Sequence, residues 1–158
     1  MSKVIEYPFT PKSTAYLESG QFWMFGLSNG LKACGLVLQL KILNGARDSR
    51  MFLAGLLDWT GTELPAMEIL EKHALIAHGQ AHVKTISENG GVVAGKIGIE
   101  NSSLTIPLTL DESPNQNCRL RKGFDFLGVA TAEQQQSLES FKTWGYGTIK
   151  VRAEKTLI

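Results

Sequence analysis

FWMFGLSNGLKACGLVLQL, Phe22 to Leu40, decides the fold, because a run of nineteen mostly apolar residues admits three readings. A membrane-spanning helix needs about 20 predominantly apolar residues. The centre of this run is Ser28-Asn29-Gly30, with Lys32 two residues on, and one Lys at mid-span costs about 2.5–3.5 kcal/mol on insertion scales. A buried helix is opposed by Gly26, Gly30 and Gly35, each costing about 1 kcal/mol relative to Ala. Asn29-Gly30 between two apolar runs is instead a strong hairpin signal. A two-residue type I′ turn at that corner predicts Leu27 opposite Lys32, Phe25 opposite Cys34 and Trp23 opposite Leu36, directly opposed residues sharing a face. Leu38, Leu40 and Ile42 continue that face, and Phe22, Met24, Gly26, Leu31, Ala33, Gly35 and Val37 form the other. Both faces are apolar, so the two strands are central and covered on both sides.

The same punctuation recurs at Asn44-Gly45 and Asn89-Gly90. The first implies another hairpin corner, followed by a polar connector at Ala46 to Arg50 and a buried strand from Met51 to Trp59. The second suggests a hairpin of Ala81 to Ser87 with Val92 to Ile99. Pro65 opens a short helix from about Ala66 to Lys72, and Gly79 is the stop for any helix that reaches it. Leu104, Ile106, Leu108 and Leu110 alternate with polar residues, and Pro107 places that strand at an edge. Asp111 to Asn117, DESPNQN, reads as loop. Thr131-Ala-Glu-Gln134 is a capping box that starts a helix running to about Thr143 and burying Leu138 and Phe141, with Gly145 and Gly147 ending it. Ile149, Val151 and Ala153 alternate with polar residues and read as a strand over Thr148 to Glu154. The expected fold is a β-rich α+β domain: a curved or barrel-like antiparallel sheet with a short central helix and a C-terminal helix.

At 158 residues the chain matches one domain of about 150 residues, with no linker and an extended N-terminal arm at about residues 1–18. Pro8-Phe-Thr-Pro11 fits a P-x-x-P pattern, which is read as part of that arm. Sixteen basic against 15 acidic residues create no broad field to collect nucleic acid or an anionic membrane. The N-terminus, MSKVIEYPFT, carries no signal-peptide pattern. Cys34 and Cys118 match no metal spacing, read as buried thiols, and fit a reducing cytoplasm.

Three groups of residues invite a chemical reading. His73, His78 and His82 lie within ten residues. No zinc-protease Glu accompanies them, Gly79 argues against a helix, and on a strand His78 and His82 stand about 13 Å apart. They are read as surface histidines, and no metal is assigned. Lys122 to Val129, KGFDFLGV, echoes an RNA-recognition strand but has Asp125 where Gly or Ala belongs and Val129 where an aromatic should stack. It is read as a core strand with Phe124 and Phe126 packed and Arg119, Arg121 and Lys122 solvated. No nucleophile elbow, phosphate loop or dinucleotide fingerprint occurs, so no catalytic residue and no cofactor is assigned. Asp58-Trp59 and Trp144-Gly-Tyr146 stand at element ends. Aromatics there are core plugs or partner anchors, and Asp58, Trp59, Trp144 and Tyr146 are the candidate partner-binding residues.

The pattern Phe22-Trp-x-x-x-Leu27-x-x-Gly30-x-x-Ala33-x-Gly35-x-Val37-Leu38 resembles a family of small bacterial immunity proteins of polymorphic toxin systems, with Gly26-Leu27 where Pro-Leu is expected. It spans the first third of the chain, and no partner-contact residue is carried over from it. The resemblance implies a non-enzymatic protein that binds and neutralises a protein partner, a toxin. The alternative is a small-ligand binder or enzyme with a pocket in the curved sheet.

Overall fold

A computed structural model describes residues 5–65, 67–98, 104–111 and 118–158. Strands β1 (Gln21–Gly26), β2 (Lys32–Leu43), β3 (Ala46–Gly61), β4 (Leu75–His82) and β5 (Gly95–Lys96) form one antiparallel sheet in the order β4-β3-β2-β1-β5. A second antiparallel sheet contains β6 (Leu108–Asp111), β7 (Arg119–Lys122) and β8 (Asp125–Val129) in sequence order. Short helices α1 (Met67–Leu70), α2 (Lys84–Ser87) and α3 (Ala132–Ser137) join them, and α4 (Thr148–Leu157) is the longest helix described. The expected β-rich α+β architecture is present, and neither sheet closes into a barrel.

The apolar run does form β1 and β2, but in a register one residue from the expected one: Phe25 faces Ala33, Met24 faces Cys34 and Trp23 faces Gly35. The cause is the turn. The Leu27 amide donates to the Leu31 carbonyl at 2.7 Å and the Gly30 amide to the Leu27 carbonyl at 3.1 Å, leaving a three-residue loop, Ser28-Asn29-Gly30. Gly30 alone has positive φ, +86°, as a type I turn followed by a left-handed glycine requires, whereas type I′ needs two such residues. Asn44-Gly45 is that two-residue case, with φ of 51° and 78°, and it pairs Leu43 with Ala46. Here β3 starts at once, so Ala46 to Arg50 is strand and not connector.

The register decides which side chains meet across the sheet. One face carries Trp23, Phe25, Val37, Phe52 and Leu56, covered by Leu17 and Phe9 of the N-terminal arm, by Ile86 of α2 and by Ile149 and Ala153 of α4. The other carries Phe22, Cys34, Leu36, Leu38, Leu53 and Leu57, covered by Leu70, Ile97, Phe124 and Phe141. Both faces are therefore buried, as the two apolar faces of the opening stretch demand.

Trp23, Trp59 and Trp144 each pack against a strand glycine: Gly35, Gly61 and Gly79 respectively. A methyl group at any of these glycines would overlap the indole. Gly79 sits inside β4 and ends no helix.

Several other elements depart from the sequence reading. Asn89-Gly90 closes no hairpin: α2 precedes it, and the short β5 pairs with β1. Buried Asn89 instead donates its side-chain amide to the carbonyls of Thr85 at 2.8 Å and Tyr146 at 2.7 Å. The helix after Pro65 is one turn, Met67–Leu70. Strand β6 covers only Leu108–Asp111, and residues 112–117 of the expected loop lie outside the described residues.

The capping box forms, with the Thr131 hydroxyl accepting from the Gln134 amide at 3.1 Å and the Thr131 amide donating to Gln134 Oε1 at 2.9 Å. Helix α3 nevertheless stops at Ser137, because Leu138 turns to an extended conformation. Residues 139–144 run extended between two strand edges, bridging Ser140 to Leu110 and Thr143 to Gln80, both parallel. Leu138 and Phe141 are half-buried outside any helix. The expected strand at Thr148 to Glu154 is helix α4, in which Ile149 and Ala153 bury at i, i+4 spacing with half-buried Leu157 one turn on, and Val151 stays exposed.

Gly35→Ala pushes a methyl into the Trp23 ring and is expected to cost about 1–3 kcal/mol, as overpacked core sites do. Gly26→Ala, at an exposed position where an added methyl meets nothing within 4 Å, should stay within about 0.5 kcal/mol of the parent. Urea unfolding of both variants checks the contrast.

Candidate functional site

The four anchor candidates occupy different surroundings. Trp59 is buried in the cluster on the α1 side of the large sheet, and its neighbour Asp58 is exposed. Trp144 is buried in the opposite cluster. Tyr146 is 42% exposed, with its ring centroid 5.2 Å from that of His82 and the Lys84 ammonium 5.6 Å from it. The structure therefore divides the two tryptophans between opposite faces and leaves Asp58 and Tyr146 at the surface.

The histidines also separate. His73 Nδ1 lies 2.6 Å from the Asp58 carbonyl, His78 packs edge-on against Phe141, and His82 Nδ1 accepts from the Lys84 amide at 3.0 Å. His78 and His82 both belong to β4. No group of three metal-ligating side chains converges among the described residues. Cys34 is fully buried, and burial pushes its thiol far above the ordinary range. Cys118 is half-buried rather than buried.

The largest departure from the sequence reading is in the small sheet. Gly123, at φ 62°, turns the chain between β7 and β8, and the turn docks on β2 through the Phe124 amide, which donates to Gln39 Oε1 at 2.8 Å. Phe124 packs at this junction beside Phe141, with ring centroids 5.9 Å apart. Phe126 does not pack in a core: it is 50% exposed, with the Arg119 and Arg121 guanidinium carbons 4.0 and 5.0 Å from its ring centroid. Arg121 is largely buried, not solvated, with its guanidinium carbon 3.6 Å from the Phe141 ring centroid. One carboxylate, Asp111, accepts from both arginines, at 3.1 Å from Arg119 and 3.0 Å from Arg121.

Every residue of β8 is exposed, including Leu127 at 53% and Val129 at 63%. The strand pairs with β7 alone, so its outer edge is open among the described residues. Phe126, Leu127 and Val129 thus line an open edge beside two oriented guanidinium groups. The sequence signal for this surface was the KGFDFLGV stretch itself, but its aromatics do not reveal which of them faces water.

A concave feature lies between β4 of the large sheet and β6 of the small one. The cleft holds about 290 Å³ and is bounded by Leu75 to His78 of β4, Pro107 to Thr109, Ser137 to Ser140, Lys142 and Arg152. His78 stays uncharged at neutral pH, its pKa lowered chiefly by desolvation, with Arg152 adding to the effect and Glu139 opposing it. No helix among the described residues is long and apolar enough to cross a membrane.

No family model, curated protein or solved structure matches this chain.

Two outcomes follow from the buried groups. The folded protein binds fewer protons than the unfolded chain between the lowered His78 pKa and the ordinary value of about 6.5, so stability falls as pH drops through that window. Urea midpoints at pH 7.5 and 5.5 should show this loss, and His78→Gln should shrink it. In a native thiol titration Cys118 should react while Cys34 waits for denaturant.

Proposed function

We propose that this chain is a non-enzymatic protein that binds and neutralises a protein partner, a toxin in the sense of the immunity proteins that its first hairpin resembles. The observation that carries the reading is the open β8 edge, with Phe126, Leu127 and Val129 each at least half exposed. An unpaired edge offers main-chain donors and acceptors to an incoming strand, and exposed apolar residues along it invite association unless a partner covers them. Aromatic and arginine side chains are the commonest energetic anchors of protein interfaces, and here Arg119 and Arg121 hold Phe126 in place. Among the described residues of the small sheet, Arg119, Arg121 and Lys122 outnumber Asp111 and Asp125. The partner that fits is a protein presenting a strand edge with a surplus of acidic side chains, which electrostatic complementarity steers into register.

Affinity capture with the full chain, compared with a Phe126→Glu, Val129→Glu double variant, tests this. A stoichiometric partner should be recovered by the parent and weakened by more than about tenfold in the variant, with circular dichroism unchanged. Equal recovery by both forms removes β8 as the docking surface, and recovery of no specific protein removes the neutralising function.

A further inference from the structure

The cleft between the sheets is a site with a chemistry of its own, separate from the β8 edge. One wall is a strand edge. Gln80 spends its outward backbone groups on the crossing segment: its amide donates to the Lys142 carbonyl at 2.8 Å, and its carbonyl accepts from the Trp144 amide at 2.7 Å. His78 lies two residues back along β4, so its backbone N–H and C=O point the same way. There they have no partner among the described residues. The cleft opens at that point, because the segment at residues 139–144 leaves β4 and follows β6 instead. Leu75 of the same strand, with Pro107, Leu108 and Leu138 from the other walls, supplies an apolar patch in a partly polar lining.

Cationic groups stand at the same cleft. The Lys142 ammonium and Arg152 guanidinium make no ion pair or side-chain hydrogen bond among the described residues. Arg152 lies against the Trp144 ring, its guanidinium carbon 5.8 Å from the centroid. Glu139 is the one acidic residue in the lining, so with His78 neutral the site carries a surplus of one positive charge. Its volume of about 290 Å³ is at the small end of the roughly 300–1,000 Å³ typical of ligand sites. That size suits the end of a chain rather than a long segment.

We propose that this cleft captures the C-terminus of an extended peptide, pairing with the backbone of His78, burying an apolar last side chain, and holding the free α-carboxylate with Arg152 and Lys142. An open strand edge, an apolar patch and one surplus cation together specify such a ligand: an edge gives main-chain pairing, an apolar patch takes the side chain, and a charge-assisted bond fixes the terminus. A free apolar monocarboxylate shares the last two features but uses no strand edge.

The test uses the full chain and N-terminally fluorescein-labelled Gly-Ser-Val-Val-X peptides, with X as Leu, Ile, Val or Phe, each as free acid and as amide. Fluorescence anisotropy should show saturable binding of at least one free acid below about 1 mM. Amidation should weaken it by about tenfold or more, the loss expected for a charge-assisted bond. Lys142→Gln and Arg152→Gln should each weaken the free acid while leaving the amide unchanged, and Glu139→Gln should tighten it. The amide comparison is made on unmutated protein, so it does not depend on any variant folding. Binding of none of the four peptides, or equal binding of acid and amide, overturns the proposal. Hexanoate binding in the absence of any peptide binding also overturns it, by assigning the cleft to a free carboxylate. Since β8 takes no part in the cleft, the Phe126→Glu, Val129→Glu variant should bind the peptide normally, which keeps a failure here distinct from a failure of the neutralising function.

Discussion

The contact between an indole ring and a bare stretch of strand backbone orders this molecule. Trp23 on Gly35, Trp59 on Gly61 and Trp144 on Gly79 place one such contact on each of β2, β3 and β4. Each indole is a large apolar plate that must come within van der Waals distance of the sheet to bury its area, and only a residue without a Cβ lets it. The requirement is also one of register. Slide β1 by one residue against β2 and Trp23 meets a side chain instead of Gly35, while every apolar residue on both strands changes neighbours. Of the three glycines that argue against a helix in the opening stretch, Gly35 therefore has a positive role, as the seat of the Trp23 ring.

How much of this can be read in advance depends on whether the deciding interaction is local. The presence of hairpin corners at Asn29-Gly30 and Asn44-Gly45 is legible, because the residues that turn the chain are the turn itself. Which turn forms is not, since both corners share one dipeptide and differ in whether Asn adopts positive φ, as Asn44 does and Asn29 does not. The start of α3 is legible from its capping box, whose two hydrogen bonds lie within four residues. Its end is not: residues 139–144 are drawn out of the helix by backbone partners at Leu110 and Gln80, roughly 30 and 60 positions away. For Thr148 to Glu154 an alternating pattern and a helical i, i+4 pair coincide at Ile149 and Ala153, and tertiary packing chooses the helix.

The surfaces follow the same logic. Trp and Tyr at element ends are visible as candidate anchors, but burial separates Trp144 from Tyr146 over two residues, and only the folded sheet says which is a plug. The β8 edge is written in KGFDFLGV, yet its exposure results from Gly123 docking the turn on β2 and carrying Phe126 away from the core. The cleft cannot be found in any short stretch, since its walls come from β4, β6, the crossing segment and α4.

The far end of the chain also closes the first hairpin. Glu154 of α4 accepts from both the amide and the hydroxyl of Ser28, each at 2.7 Å, across 126 positions of sequence, while Ile149 and Ala153 of the same helix complete the core on Trp23 and Phe25. In chain order α4 is the last of the elements that cover that face, after the N-terminal arm and α2. That face is complete only once α4 is in place. A contact that spans 126 positions raises the contact order of the fold, and non-local pairings of that kind slow folding.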